Sequence, residues 1–205
     1  MAHDHIPRAA ITGAATGVLF MGFFGTLWAS IGIGGLQGLG LYWLLIPSLL
    51  IGSLFISGGV QLIKASRAVS STMTDTDSRY MKRTMKRFGM IFGLEGAMIG
   101  IASGLCGATD HMDVLFPVMA FIVGAHFFPL AHLFRIRIHY WAGTLMCVLA
   151  GITLLTMPAR GTWGQHRIVI WWVSVGFGSA LILWATGAAI WLMGRRLLAR
   201  ARKTA

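Results

Sequence analysis

Residues 114–134 read VLFPVMAFIVGAHFFPLAHLF. This run contains no acid, lysine or arginine, and its polar side chains are His126 and His132. A membrane span needs about 20 mostly apolar residues, and this stretch meets that length. Five other segments match it, so the predicted spans are 9–33, 39–63, 88–108, 114–134, 140–157 and 168–193. The fold class expected is an all-α polytopic membrane protein. It would be a bundle of six transmembrane helices forming one transmembrane domain over residues 1–205.

Composition agrees. The chain has 205 residues, is 56% hydrophobic and 11% charged, and has a mean hydropathy of +0.73. Soluble domains carry about 25% charged residues. Lysine and arginine total 17 against 6 acids, a net charge of +11. These bases flank apolar runs and no nucleic-acid motif accompanies them, so no nucleic-acid partner is expected. Cys106 and Cys147 lie inside apolar segments with no Cys-x-x-Cys, which supports neither a disulfide framework nor a zinc site. The opening MAHDHIPRAAITGAATG leads into an apolar run too long for a signal-peptide core, despite the small residues Ala29 and Ser30. It reads as a retained first span.

The charge pattern orients the bundle. The loop 64–87, KASRAVSSTMTDTDSRYMKRTMKR, holds seven bases and two acids, and MKRTMKR is expected to continue the third helix. With Arg8, Arg135, Arg137 and the C-terminal tail, one side collects 15 of the 17 bases, leaving only Arg160 and Arg167 on the other. Positive flanks stay cytoplasmic, so both termini are expected inside. The basic loop suits anionic lipid headgroups. Trp28, Trp43, Trp163 and Trp171 fall near predicted outer ends, and Trp141 and Trp191 near inner ends, as an interfacial belt would require. Six spans divide into three and three, but the halves share no convincing sequence match, so no inverted repeat is inferred.

Glycines number 27 and fall in patterns. Span one has Gly13-x-x-x-Gly17, then Gly22 and Gly25, and span three has Gly96-x-x-x-Gly100-x-x-x-Gly104 with Gly89 and Gly93 on nearly the same face. Such spacing lets helix backbones approach closely. These are packing seams first, although a homo-oligomer is compatible with them. Glu95 lies on another side of span three, with Ala102 and Cys106. Two packed sides place this helix at the centre of the bundle.

Glu95 is the only acid inside any predicted span. It and His126 both fall about 10–12 Å below the inner surface, on spans joined by a short outer turn. A lone carboxylate at that depth costs about 2.5–3.5 kcal/mol on insertion scales. A histidine can donate to it and carry positive charge. Pro129 cannot donate its backbone N–H and clashes with the carbonyl of Ala125, so a helix kink is expected beside His126. Gln61, Thr144 and Thr186 lie at similar depth, as do Thr16 and Ser57, and the first three complete the candidate ion- or ligand-binding set. Buried polar residues also serve as interhelical glue, and hydroxyls often bond their own helix. His132 points away from His126 toward the headgroup level.

Asp110, His111 and Asp113 form a weak metal motif in the outer turn, where an N-cap role for Asp113 is the favoured reading. His3-Asp4-His5 lies on a tail that cannot preorganise a metal site. Only His126 is deep, so no bis-histidine haem site is indicated, and no cofactor is expected. The 12 methionines read as filler. No Gly-x-Ser-x-Gly, His-Glu-x-x-His or P-loop occurs, so catalysis is not indicated.

GAHFFPLAHLF resembles a Gly-x-His-Phe-x-Pro-Leu-Ala motif of small uncharacterised prokaryotic multi-span membrane proteins, matched at Gly124, His126, Phe127, Pro129, Leu130 and Ala131. The resemblance covers one helix. It implies a bacterial cytoplasmic (inner) membrane and no particular chemistry. The functional expectation is a small transporter or channel for a proton or small cation or solute, using a Glu95–His126 pair. The alternatives are a non-catalytic sensor or a subunit of a larger membrane complex, and less readily an intramembrane enzyme.

Overall fold

The computed structural model describes residues 8–69 and 75–203. Six long helices follow one another: α1 (Arg8–Gly35), α2 (Leu41–Ser66), α3 (Asp75–Ala108), α4 (Met112–Phe134), α5 (Ile138–Thr156) and α6 (Ile170–Lys203). All six contain segments long and apolar enough to cross a membrane. Each predicted span lies on its own helix to within a few residues. The helices run on at the basic end, where α3 begins inside the basic loop and α6 continues to Lys203. Ile11 of α1, Val69 after α2 and Ala201 of α6 pack together there, so the basic flanks do share one end of the bundle.

The opposite end holds an element that hydropathy did not indicate. β1 (Gly161–Trp163) and β2 (His166–Ile168) form an antiparallel hairpin with Trp163 opposite His166. Gly164 turns the chain at φ 62°, the left-handed region that a two-residue hairpin loop needs and that glycine enters without penalty. The sixth span, expected to begin at Ile168, therefore begins as a helix at Ile170.

Glycine sets the packing. α1 and α6 share the longest interface, and their backbones meet where Gly32 faces Gly176. A methyl on Gly25 would strike the Trp184 indole at 2.5 Å, and one on Gly22 would lie 2.6 Å from Phe55 Cβ of α2. Gly124 of α4 and Gly143 of α5 seal a second seam, where a methyl on Gly143 would lie 2.7 Å from the Gly124 carbonyl. The α1 seam expected from sequence is real at Gly17, Gly22 and Gly25, whereas Gly13 faces open space. Trp28 is 3% exposed and belongs to the core, not to an interfacial belt, while Trp43, Trp141 and Trp163 are largely exposed. Trp28 sits in the α1–α6 contact, where its carbonyl would lie 3.0 Å from a methyl on Gly176.

The expectation that α3 is central is corrected. α3 packs mainly on α4 and lies at the edge of the bundle, the least buried of the six. Its glycines 89, 93, 96, 100, 104 and 107 have nothing within 4 Å of where a side chain would start. Its inward side is the other one: Phe88, Phe92, Glu95, Ile99, Ser103 and Cys106 are buried or half-buried. Small residues allow close approach but do not compel it, and here the large residues found the neighbour.

Candidate functional site

The face of α3 turned to α4 carries phenylalanines one turn apart and then Glu95. Phe88 packs on Phe134 with ring centroids 5.8 Å apart, and Phe92 meets the His126 imidazole edge-on at 6.4 Å. On its other side Phe92 touches Phe20 and Phe24 of α1. This aromatic stack fixes the rotation of α3 and aims Glu95 into the seam.

There Glu95 Oε1 lies 3.4 Å from His126 Nδ1, with both side chains about nine-tenths buried. The depth match read from the sequence corresponds to an actual contact. At 3.4 Å the contact is longer than an optimal hydrogen bond. The nearer partner of His126 Nδ1 is the carbonyl of Val123, one turn back on α4. An N–H on Nδ1 therefore donates to Val123 and leans toward the carboxylate. The second carboxylate oxygen, Oε2, is fully buried with no hydrogen-bond partner among the described residues. Phe127 stacks against His126 with centroids 4.6 Å apart. The site is a carboxylate and an imidazole behind phenylalanines, with acceptor capacity unspent. Such a pair can trade a proton, or hold a small cation with the free oxygen. An unsatisfied buried acceptor costs about 1–3 kcal/mol, a cost that a proton or cation on the oxygen would relieve.

The remaining candidates do not gather around this pair. Thr186 is buried in the core, and its hydroxyl donates to the Ile182 carbonyl at 2.8 Å. Gln61 and Thr144 are exposed on the outside of the bundle. Thr16 and Ser57 are exposed too and bond their own helices. Pro129 is exposed and lies within a continuous α4, which also accommodates Pro117.

Between α3 and α4, Asp113 sits inside the first turn of α4 and His111 occupies the cap position without a side-chain capping bond. The Asp113 carboxylate takes a two-point bond from Arg160, with Nε at 2.7 Å and Nη2 at 3.1 Å. That bond, then the carboxylate's charge, raises the Arg160 pKa above its ordinary value. His111 Nδ1 faces the Thr109 carbonyl, and Asp110 adopts a left-handed φ of 59°. Among the described residues no three His, Cys, Asp or Glu side chains cluster closely enough to hold a metal ion. His3, Asp4 and His5 lie outside the described residues.

His139, at the start of α5, is a buried group that depth alone does not reveal: it is 6% exposed and its ring packs on Phe127 at 5.6 Å. The available signal was its spacing to Ala142, Gly143 and Met146, the i+3, i+4 and i+7 positions of the buried α5 face.

No family model, curated protein or solved structure matches the chain. The residues themselves must carry the functional reading.

Proposed function

We propose that the chain is a small multi-pass membrane transporter or channel that moves a proton or small cation through the Glu95–His126 pair, in the bacterial cytoplasmic membrane with its basic end inside. The supporting observation is the buried 3.4 Å contact between the one intramembrane acid and an imidazole, with a carboxylate oxygen left over. Ionisable groups are costly at membrane depth and mark ion paths when they persist there. The outward surface supports insertion in lipid: Leu50, Leu54, Leu94, Ile101, Leu105, Leu155 and Leu181 are all more than half exposed. A water-soluble protein rarely exposes apolar patches larger than a few hundred Å².

The test is proton and monovalent-cation flux into liposomes for the wild type and Glu95→Gln. Gln keeps the shape and removes the charge, so wild-type flux should vanish in a folded Glu95→Gln protein. Equal flux in both would sink the role given to Glu95, and no flux of either ion in the wild type would sink the transport reading.

A second reading, a sensor or a subunit of a larger membrane complex, is favoured by one observation. The six glycines of α3 stay open although most other helical glycines meet a neighbour. Another membrane helix seated there would supply the missing contact.

A further inference from the structure

We propose that the cleft between the α4–α5 turn and α6 binds an anionic phospholipid, with its phosphate on Arg135 and Arg137 and an acyl chain along α5. The inference needs the six helices to lie in a membrane. It is independent of what the Glu95–His126 pair does.

The turn holds its arginines in place. Arg135 closes α4 in the left-handed region at φ 55°, and its N–H and that of Ile136 both reach the Ala131 carbonyl. This is a usual way to satisfy the last carbonyls of a helix. α5 begins three residues later, and the Tyr140 N–H bonds the Arg137 carbonyl at 3.1 Å. Arg135 and Arg137 are thus fixed two positions apart, both exposed. Neither has an acid partner: the ion pairs among the described residues are Glu95–His126 and Arg160–Asp113. A guanidinium fork matches the oxygens of a phosphate, in one or two parallel bonds.

The space beside these arginines is apolar. The cleft has a volume of about 240 Å³, and its walls are Ile136 and Ile138 on one side and Ile190 and Met193 of α6 on the other. A free hydrated anion gains nothing from such walls, whereas an amphiphile uses both parts. From Ile138 an exposed apolar strip continues along α5 through Trp141, Leu145, Val148 and Ile152. Their spacing of three and four keeps them on one helix face. From Ile138 to Val148 the helix rises about 15 Å, half of a hydrocarbon core of about 30 Å. A headgroup at the turn therefore places an acyl chain along α5 to mid-membrane. Arg196 of α6 is exposed three residues beyond Met193 and adds a cation on the same side, nearer the helix end. Bases gather all over this end, so charge alone does not single out the place. Two arginines without acid partners over a walled apolar cleft do, and basic pockets between membrane helices are known to hold anionic headgroups.

The experiment is native mass spectrometry of the purified protein in detergent, titrated with phosphatidylglycerol or with phosphatidylcholine of the same chains. One phosphatidylglycerol should bind about tenfold tighter than phosphatidylcholine. Arg135→Gln with Arg137→Gln should weaken it about thirtyfold, from about fivefold per base. Lys82→Gln with Arg83→Gln removes two exposed bases of α3 outside the cleft and should leave the affinity unchanged. Met193→Trp fills the cleft, keeps every charge and should also weaken binding. Equal binding of the two lipids overturns the proposal. An equal loss in the two double variants, or no loss in Met193→Trp, reduces the site to diffuse surface charge and overturns it as well. Displacement of the lipid by an equal concentration of inorganic phosphate would make this a free-anion site and overturn the lipid assignment. Should the variants unfold, the wild type decides. Phosphatidylglycerol with a photoactivatable group midway along an acyl chain should label α5 between Trp141 and Ile152, and labelling confined to other helices overturns the proposal. Proton or cation flux, present or absent, alters none of these outcomes.

Discussion

At the scale of single residues, the pair of Glu95 and His126 is more informative broken than intact. Removing one member of a buried ionisable pair is costly because the other is left without a partner, whereas replacing both with apolar groups of similar shape often is not. His126→Phe alone should therefore lower stability by about 3–5 kcal/mol. Adding Glu95→Leu should recover most of that loss, and the coupling should fall at about 0.5–3 kcal/mol. Thermal melts of the four proteins in detergent measure it, and strictly additive losses would mean that the 3.4 Å contact carries no energy. Asp113 shows the opposite economy. Its carboxylate is spent on Arg160, which ties the start of α4 to the loop after α5.

At the scale of elements, two classes of helical glycine separate cleanly. Gly176 meets the Gly32 backbone, which has no flexible end to move aside. Gly176→Ala should cost about 1–3 kcal/mol through overpacking. Gly100 on α3 faces open space. Gly100→Ala should instead gain up to about 1 kcal/mol from helix propensity in the isolated chain. The two melts check this contrast. A Gly100→Ala protein that loses stability or a copurifying partner would show that another helix fills the α3 face. The hairpin is the element that hydropathy hid. In TWGQHR, Gly164 followed by Gln165 is the glycine-first signal of a two-residue turn, but each strand is three residues long and too short to alternate visibly.

At the scale of the whole molecule, the bundle exposes many leucines and isoleucines on its outer surface, while α1, α2, α4, α5 and α6 meet at glycines in their seams. This is the pattern expected when lipid, not water, surrounds the chain, since lipid offers no hydrophobic drive and backbones must pack by shape. The orientation proposed above, which the charge bias favours, puts the basic end in the cytoplasm. With Cys106 and Cys147 replaced by alanine, a cysteine at the exposed Trp163 position should react with an impermeant thiol reagent on intact cells. One at the exposed Arg196 position should react only after permeabilisation. The reverse pattern would invert the topology.

The sequence by itself determined the six helices, the gathering of basic flanks at one end, and the shared depth of Glu95 and His126. All three follow from local quantities: run length, charge position and rise per residue. It did not determine helix rotation or neighbour choice. Those decided that α3 lies at the edge, that Trp28 is core, that Gln61 and Thr144 face outward, and that His139 is buried beside Phe127. The physical reason is that a residue's depth is set by its own helix, while its angular position acquires meaning only from the helix opposite. Glycine spacing marks where close approach is possible. On α3 the tertiary packing of Phe20, Phe24, Phe88 and Phe92 turned the opposite face inward and left the glycines open.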